Sequence, residues 1–136
     1  MNILGSKLLT SVFGGWPSFH DAEVVRMELV RAGHSGAETD LLADVHVFET
    51  TEDVGPDGGF VLLHHGLVSF RFGGIDQLRI EGWNHQNVLM DLQIKDVRSR
   101  QLDGLFYEIC FDGSVGVHAE FLCRSVEIES VRPWQE

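Results

Sequence analysis

The chain has 136 residues, 43% of them apolar and 23% charged, which suits one domain with its own core and is too short for two of ordinary size. That composition excludes disorder, collagen-like repeats and low complexity, and no apolar run approaches the roughly 18 residues of a spanning helix. Ten Lys and Arg against 21 Asp and Glu leave a net charge of −11, so neither a nucleic-acid partner nor a membrane is expected.

Ile3, Leu4, Leu8, Leu9 and Val12 recur at helical spacing and Gly14-Gly15 ends the pattern, which predicts a short amphipathic helix from Ile3 to Phe13. From Glu23 the period becomes two. Val25, Met27 and Leu29 read as the buried face of a first strand, and Leu41, Ala43, Val45 and Val47 as that of a second. Thr50 to Gly59, which contains Gly55-Pro56-Asp57-Gly58-Gly59, reads as the most obvious loop. Phe60–Leu63, Leu67–Phe72, Gln77–Trp83 and Val88–Lys95 follow as strands, the last with Val88, Met90, Leu92 and Ile94 on one face. Asp112-Gly113 between two β-rich runs predicts a two-residue hairpin turn that sets Cys110 opposite Val115. Val126–Val131 is the last strand. The expectation is a single domain over residues 1–136, mainly β, with mostly antiparallel sheets of about eight strands behind a short N-terminal helix. Sandwich and partly closed barrel both remain open.

The N-terminus lacks the features of a secretory signal, and two cysteines in a chain able to build its own core are expected to stay reduced, in the cytoplasm. Zinc-finger and His-Glu-x-x-His spacings are absent, so no metal or other cofactor is expected. Ser35 in Gly33-His34-Ser35-Gly36 falls short of a nucleophile elbow. His64 and His65, adjacent on a strand, point to opposite faces, and His46 and His118 read as surface residues. His20-Asp21 and His85 each lie near a Trp in a non-repetitive segment. The plainer reading is that His20, Asp21, Asn84, Gln86 and Asn87 fix loop backbone. A small metal- or ligand-binding domain or hydrolase built from His20, Asp21 and His85 is the alternative. Trp16, Trp83 and Trp134 are read as anchors, or as interface hot spots if exposed.

Between Arg31 and Arg71 there is no Lys or Arg, while Glu38, Asp40, Asp44, Glu49, Glu52, Asp53 and Asp57 are all acidic. Such a stretch is either a solvated hairpin or a surface that steers a basic partner.

Gly14-Gly15-Trp16-Pro17-Ser18-Phe19-His20-Asp21-Ala22-Glu23-Val24, the block Phe70-Arg71-Phe72 with Leu78-Arg79-Ile80-Glu81-Gly82-Trp83-Asn84-His85-Gln86-Asn87-Val88, and Phe111-Asp112-Gly113 together resemble the immunity protein 50 family. The resemblance implies a small, mostly β cytoplasmic protein of a bacterial polymorphic toxin system, not an enzyme, which neutralises a cognate toxin by binding it. It brings no site residues of its own. Partner binding is therefore expected at Glu49, Glu52, Asp53 and Asp57, and at Trp16, His20, Asp21, Trp83 and His85. Assembly through an exposed edge strand is a third reading, and the sequence sets no oligomeric state.

Overall fold

Alternation of apolar and polar residues calls for a sheet with one dry face and one wet face. The computed structural model describes residues 3–32, 38–56, 58 and 60–134, with backbone alone for 32, 50–53 and 60–64. It shows helix α1 (Ser6–Phe13) followed by β1 (Glu23–Ala32), β2 (Glu38–Val54), β3 (Phe60–Gly73), β4 (Asp76–Glu81), β5 (Val88–Asp96), β6 (Tyr107–Val115), β7 (His118–Cys123) and β8 (Ser125–Pro133). All pairings between strands are antiparallel, in the order β4-β7-β6-β5-β1-β2-β3-β8.

The sheet folds on itself without closing into a barrel. Its seam is narrow. Only Glu23 and Val88 pair between β1 and β5, helped by Val24 N–H to Asn87 O at 2.8 Å and Leu89 N–H to Ala22 O at 2.8 Å. Either side of that seam, two four-stranded halves face each other. Phe72 of β3 meets Phe111 of β6 and Phe121 of β7 edge-on, at 5.8 and 5.2 Å between ring centroids, the geometry aromatic pairs prefer. Leu41, Ala43, Val45, Val47, Val68, Phe70 and Phe72 are all fully buried, as their alternation requires.

Departures from simple alternation have local causes. A bulge between Val24 and Arg26 inverts the start of β1, so Val24 is buried while Val25 is exposed; Leu29, beyond the bulge and opposite buried Leu41, is exposed near the end of the strand. Register shifts between Val88 and Asp91 bury Leu89 and expose Met90. The two predicted runs 60–63 and 67–72 are one strand, β3, and the first half of the predicted loop, Thr50 to Val54, is the end of strand β2. The helix starts at Ser6 because Leu4 is held by β8: its N–H donates to Val126 O and its carbonyl accepts from Ile128 N–H. Leu9 and Phe13 face the core, leaving Leu4, Leu8 and Val12 exposed.

The Asp112-Gly113 turn does not form. Both residues are strand, with Asp112 opposite Asp91 and Gly113 opposite Leu89. The chain reverses instead at Gly116, whose φ of 79° suits glycine, and the Asn87 side-chain oxygen holds this turn by accepting from Val117 N–H at 3.0 Å. Gly113 is there for a different reason: a Cβ on it would lie 1.9 Å from the Val117 carbonyl oxygen.

The shifted register sets Cys110 opposite Glu120 and Cys123 opposite Tyr107. The two thiols therefore point to opposite faces of the sheet, and both are free. Burial pushes Cys123 up from 9.0 to about 12. Stability contributed by its protonated form is thus complete below about pH 9 and is lost as pH climbs toward about 12. Only the thiolate is nucleophilic, so alkylation of native protein should label Cys110 first. Denatured, non-reduced protein should then titrate two thiols, and fewer would contradict the free state.

Candidate functional site

The outer face of β4-β7-β6-β5 carries a polar set that the misplaced turn conceals in the sequence. Cys110 and Glu120 face each other across β6 and β7, and continuing that register brings His118 level with Asp112. The His118 ring lies between two carboxylates, with Nε2 3.3 Å from Glu120 and Nδ1 3.7 Å from Asp112. Donor atoms of Cys110, His118 and Glu120 lie within 4.8 Å of one another, and this is the one such triple among the described residues. A cavity of 480 Å³ opens beside it, lined among others by Arg79, Lys95, Arg100 and Glu108. Burial first, then Glu120 and Asp112, push the Cys110 thiol up. That is the reverse of what a nucleophilic cysteine needs.

The residues singled out in the sequence are distributed over separate surfaces. Trp16 is 42% exposed, tilts over Phe19 at 5.9 Å and lines a 360 Å³ pocket with Ile3, Pro17, Phe19, Asp91, Leu92 and Ile94. Beside it, His20 Nδ1 is 3.2 Å from Met90 O and its Nε2 is 3.7 Å from Asp21. Both side chains are exposed, so neither fills a buried polar role. Trp83, 45% exposed, and His85 belong to the loop before β5. The structure does not gather His20, Asp21 and His85 into one donor set. The amides do fix loop backbone: buried Asn87 accepts from Asn84 N–H and donates to Asn84 O, and Asn84 accepts from Gln86 N–H. Trp134 is half-buried and stacks on His46 at 3.9 Å, and His46 in turn meets His65 at 3.0 Å.

The acidic interval is partly neutralised by bases from elsewhere in the chain. Asp40, 9% exposed, pairs with Arg71 at 2.8 Å and accepts from Gly74 N–H. Asp44 lies 3.5 Å from Arg26 and accepts from Ser69. Glu38 lies 3.4 Å from Arg124. The fold brings bases of β1, β3 and the β7–β8 link beside these three carboxylates. Glu49, Glu52 and Asp53 lie in the far half of β2, while Asp57 and Ser35 lie outside the described residues.

The Immunity protein 50 family model matches residues 5–134. The chain belongs to the immunity protein 50 family. No curated protein and no solved structure matches it. Membership spans α1 and all eight strands, so the polar outer face, Trp16 and the far end of β2 all lie within the matched region. No helix among the described residues is long and apolar enough to cross a membrane.

Proposed function

We propose that this chain is a cytoplasmic immunity protein that neutralises the cognate toxin of a bacterial polymorphic toxin system by binding it directly, with no chemistry of its own. Family membership over residues 5–134 carries this reading. Binding divides between two surfaces. Glu49, Glu52, Asp53 and Asp57 steer a basic partner, since charge complementarity acts mainly on the association rate. Trp16, with its apolar pocket and the flanking His20 and Asp21, anchors the partner, as exposed aromatic residues beside a pocket do at interface centres. Trp83 and His85 extend the contact.

Co-expression with the product of the adjacent upstream gene tests the proposal. A tagged copy should retain that product through purification and relieve its growth inhibition. An upstream product that is harmless and never co-purifies would overturn it.

A further inference from the structure

We propose that Cys110, His118 and Glu120 bind one divalent transition-metal ion of the zinc class, with Asp112 holding the His118 ring in place. The donors sit on adjacent antiparallel strands, Cys110 opposite Glu120 and His118 next but one to Glu120 on the same face of β7. Directly opposed side chains on a sheet have Cβ atoms about 5 Å apart. Small rotations therefore carry donors already within 4.8 Å of one another onto one ion.

Orientation of the histidine adds an independent argument. Nε2 faces Glu120 and Nδ1 faces Asp112. A metal-bound imidazole ordinarily gives its second ring N–H to a carboxylate, which fixes tautomer and ring plane. Asp112 stands where that carboxylate belongs. Thiolate and imidazole select zinc or cobalt over magnesium or calcium, and three protein donors leave the fourth tetrahedral position to water. As the sulfur–metal bond forms, the Cys110 proton passes to solvent, and the dication compensates the two carboxylates that otherwise oppose the thiolate. Arg79, opposite Glu120 on β4, Lys95 and Arg100 line the same cavity. Arg100 is paired with Glu108 at 2.9 Å, which leaves Arg79 and Lys95 to face Asp112 and Glu120.

Titration of the reduced full-length protein with cobalt(II) tests the site. One equivalent should produce the sulfur-to-cobalt charge-transfer band of a thiolate ligand, and zinc should displace it. Cys110→Ser should remove the band with the circular dichroism unchanged. Asp112→Asn should weaken binding by about 10–100-fold while keeping the band, as loss of an outer carboxylate does. In the wild type, zinc should protect Cys110 from alkylation, a readout that needs no variant. No thiolate band, a band that survives Cys110→Ser, or alkylation indifferent to zinc would each overturn the proposal. None of these outcomes bears on toxin binding.

Discussion

Replacing Phe72 with Ala should destabilise the protein by about 3–5 kcal/mol, the range for emptying a fully buried aromatic site. The ring is 0% exposed and touches Phe70 within its own half of the sheet, and Phe111 and Phe121 across the interior. Truncation therefore opens a cavity at the contact that holds the two halves together, where the covalent path and the narrow β1–β5 seam give little else to collapse onto it. Since a domain is typically stable by only about 5–15 kcal/mol, the variant should unfold at markedly lower denaturant concentration, as read by tryptophan fluorescence. A loss under about 1 kcal/mol would mean that the two halves do not pack through Phe72.

The central strands were readable because their environment is simple. Leu41 to Val47 and Val68 to Phe72 alternate without interruption, each flanked by paired neighbours on both sides, so period and burial coincide. Legibility failed where pairing competed with local preference. Asp112-Gly113 is a strong turn signal, but β5 recruits both residues into the ladder and Asn87 fixes the reversal at Gly116 instead. The error had a functional cost. With a turn at Asp112-Gly113, Cys110 would face Val115 and the Cys110–His118–Glu120 set could not assemble. The observed register puts Cys110 opposite Glu120 and His118 level with Asp112, and Cys-x-Asp and His-x-Glu then form a square on one face. Bulges in β1 and β5 hid the exposure of Val25 and Met90 for a related reason, since an inserted residue leaves no mark on period. The acidic stretch shows what a count along the chain leaves out. A count along the chain sees no base between Arg31 and Arg71, whereas Asp40 and Asp44 find their bases on neighbouring strands, and Glu38 finds Arg124 from the β7–β8 link.

Neutralising Glu49, Glu52, Asp53 and Asp57 together to Gln or Asn should slow association with the toxin several-fold at low salt and leave dissociation nearly unchanged. Steering charges raise the encounter rate through a field that decays over about 8 Å at physiological salt, so the difference between variant and wild type should shrink as salt rises. Neutralising Asp40 or Asp44 is not equivalent, since each is bonded to an arginine within the fold and its loss would show first in stability. Trp16→Ala should act on the other rate. Removing an aromatic anchor from an interface pocket costs about 2 kcal/mol or more, or roughly thirtyfold at 1.4 kcal/mol per decade, and appears mainly as faster dissociation. Stopped-flow association and dissociation kinetics at two salt concentrations separate the two contributions. A wild-type on-rate that ignores salt and matches the quadruple variant would remove the acidic end of β2 from the interface. A dissociation rate unchanged by Trp16→Ala would remove the pocket, leaving the toxin to be held by a different face of the sheet.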